Sequence, residues 1–137
     1  MERTLIFFKP NITLNGESIN ALMFFKNEDI FISKYELQKY PKSFFEKFYE
    51  HVPEPNRSQH SKFCCSGPIG VAILEGDGVV EKVRKIIGGT DSSKAEPKTL
   101  RGSFYRKYKP KCGFDNFIHA STTQENAERE IKIFFGG

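Results

Sequence analysis

Short apolar runs of strand character alternate with helical stripes along this chain, and turn residues separate most of them. That alternation limits the fold more than any other feature. Residues 3–8 alternate and are rich in β formers, and Pro10 drives their end into an extended conformation. After an Asn15-Gly16 turn, Ile19, Leu22, Met23 and Lys26 mark a short amphipathic helix, and residues 30–35 read as a second strand. Pro41 opens another helix, with Phe44, Phe45, Phe48 and Val52 on its buried side. Prolines and polar residues make 53–62 a loop. Ser66-Gly67-Pro68 then introduces a buried strand over 69–74.

Gly76-Asp77-Gly78 supplies a turn and an N-cap. Val79, Val80, Val83, Ile86 and Ile87 make the inner stripe of the next helix, and Gly88 stops it. Residues 89–115 show no period and read as one long loop, of the kind that is usually functional or mobile. A short strand then rises to His119. Thr122-Thr123-Gln124-Glu125 offers a capping box for a last helix. The order β-α-β-α-β-α-(loop)-β-α predicts one α+β domain over residues 1–137. Split βαβ units of this kind give a ferredoxin-like, four-stranded antiparallel sheet covered by helices.

At 137 residues the chain can bury a core without staples. No apolar run approaches the roughly 20 residues that cross a bilayer. Leu5-Ile6-Phe7-Phe8 is cut off by Lys9-Pro10 and is not a signal peptide. The three cysteines have neither metal nor disulfide spacing, so a reducing cytoplasm is the expected setting. The net charge of +4 comes from scattered lysines and arginines. The densest cluster, Arg106, Lys107, Lys109 and Lys111, reads as a solvated loop. Nucleic acid is therefore not the expected partner, and an anionic small molecule explains the charge as well.

Among the three histidines, His119 alone lies between a strand-like run and a helix start, with Asn116 three before it and Ser121 two after. In the following helix Ala127, Ile131 and Phe134 share one face, and Glu130 falls among them. A carboxylate among core-facing positions is costly without a partner, and His119 is the proposed one. His51 and His60 have no such neighbours and read as surface residues. Lys9, on the side of Leu5 and Phe7, is either a snorkelling lysine or an ammonium facing a phosphate. Tyr49 stands at a helix edge, where its ring packs while its hydroxyl meets solvent or a ligand. Arg84 either serves the site or pairs with Glu81. The long loop carries Thr90 and Arg101.

These pieces, taken together, resemble the nucleoside diphosphate kinases. Glu2-Arg3-Thr4-Leu5 with Lys9-Pro10, Tyr49, Ser66-Gly67-Pro68, Leu74-Glu75-Gly76, Arg84-x-x-x-Gly88-x-Thr90, Thr99-x-Arg101-Gly102, Asn116-x-x-His119-x-Ser121 and Ala127-x-x-Glu130-Ile131 stand in that family's order. The resemblance covers essentially the whole chain. It implies a ping-pong reaction in which a nucleoside triphosphate phosphorylates His119 and the phosphohistidine passes the group to a nucleoside diphosphate. It also implies nucleotide contacts from Lys9, Tyr49, Arg84, Thr90, Arg101 and Asn116. Arginines and threonine meet the phosphates, and Lys9 and Asn116 also meet the sugar. Ser121 and Glu130 support the histidine, Mg2+ comes with the nucleotide, and the protein is a homo-oligomer. The absence of a G-x-x-x-x-G-K-[ST] element fits, since converging cations rather than a P-loop would hold the phosphates.

The chain also departs from the family. Lys9-Pro10-Asn11 replaces Lys-Pro-Asp, and Thr122 follows Ser121 in place of aspartate. The segment Lys-Pro-Phe-Phe, whose phenylalanine stacks on the base, becomes Glu54-Pro55-Asn56-Arg57. The substitutes considered are Arg57, or Phe104, Tyr105 or Phe114 from a 101–116 loop longer than the family's. Two rivals remain. One is a nucleotide-binding relative without catalysis, against which the intact His119 and Glu130 weigh. The other is a ferredoxin-like RNA binder, whose aromatic signature on the central strands is missing.

Overall fold

The computed structural model describes residues 2–26, 29–89, 94–108 and 117–136. Its strands are β1 (Arg3–Phe8), β2 (Phe31–Gln38), β3 (Ile69–Glu75) and β4 (Ile118–Ala120). Its helices are α1 (Pro10–Thr13), α2 (Ser18–Lys26), α3 (Lys42–Phe48), α4 (Asn56–Cys64), α5 (Val79–Ile87), α6 (Leu100–Tyr108) and α7 (Gln124–Phe135). The strands form one sheet in the order β2-β3-β1-β4, and every pair is antiparallel. The ferredoxin-like α+β fold expected from the sequence is therefore present.

Alternation along β1 explains how the helices are placed. Ile6 and Phe8 face a core with Ala72, Leu74, α2, α5 and Phe104 of α6, whereas Leu5 and Phe7 face a second core with Phe45, Phe48, Val71 and Ile131. Both sheet faces are thus covered, and β1 and β3 are apolar almost throughout, as strands buried on two sides must be. β2 is one of the two edge strands, with Phe31 and Leu37 exposed.

Several expectations need correcting. Residues 53–62 are not all loop, because α4 occupies Asn56–Cys64. The 89–115 stretch is not structureless either, since α6 spans Leu100–Tyr108. In α2 the buried residues are Ser18, Ala21, Leu22 and Phe25, and Ile19 and Met23 are exposed. Two apolar sets satisfied helical spacing there, and spacing alone could not choose between them. The last helix starts one residue later than the capping box implied. Thr123 is its N-cap and accepts from Asn126 N at 3.1 Å, while Asn126 Nδ2 donates to Thr122 Oγ1 at 2.8 Å. Among the described residues no helix is long and apolar enough to cross a membrane.

Candidate active site

β4 sets the site's geometry. Its register pairs His119 with Phe7, so His119 points to the α7 side while Ile118 and Ala120 join the opposite core. The imidazole stacks on Phe7 at 4.9 Å and meets Phe48 edge-on at 5.2 Å. Just before β4, Phe117 is fully buried with φ +79°, a conformation uncommon for a bulky residue. Its carbonyl accepts from Lys9 N at 2.8 Å, which ties the end of β1 to the approach of the histidine.

α7 supplies the acid. Ala127, Glu130 and Ile131 are its buried residues, so the carboxylate sits on the core-facing side as its spacing required. Glu130 Oε1 lies 2.7 Å from His119 Nε2 and accepts from the Ser121 hydroxyl at 2.7 Å; Oε2 faces Arg129 at 3.6 Å. Burial pushes the Glu130 carboxyl up. The hydrogen bond and charge of His119, with Ser121 and Arg129, outweigh that and hold it below the usual carboxylate range. A carboxylate can only accept, so His119 Nε2 carries a hydrogen, and a ring that attacks as a nucleophile does so through Nδ1.

The cations arrive from separate elements. Arg101 of α6 is 6% exposed and donates to Gly88 O at 2.9 Å and Ile118 O at 2.7 Å, bridging the end of α5 to the residue beside His119. Its Nε has no acceptor among the described residues. Burial, and then Arg84, push its pKa down to about 10. Arg84 does not pair with Glu81, which takes Lys85 instead at 3.6 Å. Arg84, Gly88, Gly89, Thr99 and Thr122 line a cavity of about 940 Å³. Lys9, only 3% exposed, does not snorkel to solvent.

Tyr49 differs from expectation, because it is buried and its hydroxyl lies 3.9 Å from Cys64 Sγ rather than meeting solvent. Phe104 and Tyr105 pack in or against the core under β1, and Phe104 lies 5.6 Å from Phe117. Neither is a free substitute for a base platform. Thr90, Asn116 and Phe114 lie outside the described residues. Sequence reasoning missed His60, which is half-buried and packs edge-to-face on Tyr49 at 5.2 Å. Four-residue spacing before Cys64 would have found it, had the segment been read as a helix.

Known proteins of one family are similar to this chain in sequence and fold. The family model described as nucleoside diphosphate kinase matches residues 2–137. The chain is similar to a nucleoside diphosphate kinase of Thermus thermophilus, 36% identical over 136 residues, with 98% of this chain and 96% of that one covered. One from Thermosipho africanus is 39% identical over 136 residues, covering 98% and 89%. Among solved structures, the apo nucleoside diphosphate kinase of Encephalitozoon cuniculi superposes with a TM-score of 0.90 at 28% identity, covering 100% of this chain and 90% of that one. The Aquifex aeolicus enzyme gives 0.88 at 33% identity, covering 99% and 96%. By sequence and by fold, the chain belongs to the nucleoside diphosphate kinase family and is a phosphotransferase acting on nucleotides.

Proposed function

We propose that the chain transfers the γ-phosphoryl group between nucleotides by a ping-pong route through His119. The observation that carries this reading is the Glu130 carboxylate 2.7 Å from His119 Nε2. In the first step Nδ1 attacks the γ-phosphorus, the Nδ1–P bond forms, and the bond to the bridging oxygen breaks. The nucleoside diphosphate leaves with that electron pair. The ring becomes positive as it attacks, and Glu130 stabilises that charge while Ser121 holds the carboxylate in place. The second step reverses the first on a new diphosphate.

Arg84, Arg101, Lys9 and Thr90 are the phosphate contacts in this reading, and Lys9 and Asn116 the sugar contacts. Arg101 supports it best, as a buried guanidinium with no carboxylate partner among the described residues and an Nε–H to spare. Among the described residues no three His, Cys, Asp or Glu side chains cluster to hold a metal. The donors at the site are cations suited to phosphate oxygens, so Mg2+ fits as part of the nucleotide complex. There it would neutralise charge on the leaving diphosphate.

Labelled ATP tests the route. The expected product is an acid-labile, alkali-stable phosphoenzyme that GDP discharges. No label on wild type, or label persisting in His119→Ala, overturns it. A homo-oligomer fits the exposed apolar Ile19, Met23 and Phe24 of α2 and Phe31 and Leu37 of β2; a monomer mass by light scattering at micromolar concentration would refute that. Free Cys64 and Cys65 suit a reducing cytoplasm, which cell fractionation checks.

A further inference from the structure

We infer that His60 is the specificity-determining residue of the nucleotide site and that its imidazole supplies the flat contact for the nucleobase. This rests on the nucleotide-transfer reading above and names the group that meets the base. The segment concerned is the one where Glu54-Pro55-Asn56-Arg57 stands in place of the phenylalanine platform.

There the chain forms α4, on which Asn56, His60 and Cys64 recur every four residues and share a face. Cys64 is buried at one end of that face, near the Tyr49 hydroxyl, and Asn56 is exposed at the other. His60 lies between them, half-buried, with its ring at 86° to that of Tyr49. Tyr49 is itself 6% exposed, so His60 is the more exposed residue of the pair.

His60 also lies in the electrostatic field of the site. Burial first, then Lys9 and His119, hold its imidazole below the usual histidine pKa and so in the neutral form at pH 7. A neutral aromatic plane near Lys9 and His119 can take a base without adding positive charge to the site. The three described groups first considered as substitutes, Phe104, Tyr105 and Arg57, are committed elsewhere. Phe104 is 6% exposed, Tyr105 packs against the same core, and Arg57 faces the Glu50 carbonyl and the Glu54 carboxylate.

The test compares a donor that carries a base with one that does not. For the full chain, kcat/KM is measured with ATP and with ribose 5′-triphosphate, and their ratio is taken. The ratio does not depend on how much of a variant is folded. His60→Ala should lower it about tenfold, mainly through the KM for ATP, and His60→Phe should restore it. Should His60→Ala not fold, His60→Gln gives the same readout. An unchanged ratio overturns the role of His60, as does an equal loss with both donors. Failure of the parent reading is separate, because it appears as wild-type protein that ATP never labels.

Discussion

Glu130→Gln is the substitution that separates charge from shape at the active site. The amide fills the volume of the carboxylate and can still accept through oxygen, but the negative charge 2.7 Å from His119 Nε2 is lost. In the proposed reaction the attacking imidazole is the neutral form, so before the bond to phosphorus forms the charge does little for nucleotide binding. In the transition state the ring becomes partly positive. Unit charges about 4 Å apart in a medium of effective dielectric constant near 20 interact by about 4 kcal/mol. With roughly half a charge on the ring in a loose phosphoryl-transfer transition state, the loss is about 2 kcal/mol, or about 30-fold in rate. The assay is single-turnover formation of the phosphoenzyme with saturating ATP, followed by rapid quenching. The expected result is a slower chemical step with KM nearly unchanged, because the interaction is made mainly in the transition state. An unchanged rate refutes the reasoning, as does a loss confined to KM, since either places the carboxylate outside the chemistry.

Two further outcomes follow from the same contacts. A Cβ added at Gly102 would lie 2.0 Å from the Glu96 carbonyl oxygen, so Gly102→Ala should destabilise by about 2 kcal/mol or more, read by urea unfolding, and an unchanged midpoint would contradict the packing. His60 has a folded-state pKa below its ordinary value of 6.5, so the unfolded chain binds the proton more readily. Its contribution to stability is full above about pH 6.5 and is lost as pH falls through the lower folded value. The stability gap between wild type and His60→Leu should therefore move against wild type below pH 6.5, and a gap independent of pH would show that the imidazole is not held neutral.

Most of the fold was legible because β1, β3, β4 and α5 carry apolar patterns that a buried face explains. Two helices were not, for different reasons. Only Ser61 and Cys64 of α4 are buried, so it has no apolar stripe to read. Its first turn is instead held by the Glu54 carboxylate, which accepts from Ser58 N at 2.8 Å and from the Ser58 hydroxyl at 2.6 Å. α6 buries Leu100, Arg101, Gly102 and Phe104, and a buried arginine and glycine break any hydrophobic pattern. The His119–Glu130 pair was legible because one carboxylate stood among core-facing positions. His60 was hidden because its partner Tyr49 lies across a helix that the sequence did not announce.

Arg101 shows why the α6 segment escaped a reading by hydrophobicity. Its guanidinium is buried against two carbonyls, with another arginine near enough to lower its pKa and no carboxylate among the described residues to offset either cost. Packing alone would favour an apolar side chain at that position, since removing a cation from water is expensive unless an anion meets it. Glu130, the buried acid of the site, is already taken by His119, Ser121 and Arg129. In the proposed reaction a nucleotide's phosphates would supply negative charge in the form that a guanidinium fork accepts. The residue that looks least favourable as part of a core is thus the one that a bound substrate would make favourable. The bonds to Gly88 and Ile118 tie the end of α5 to the strand that carries His119.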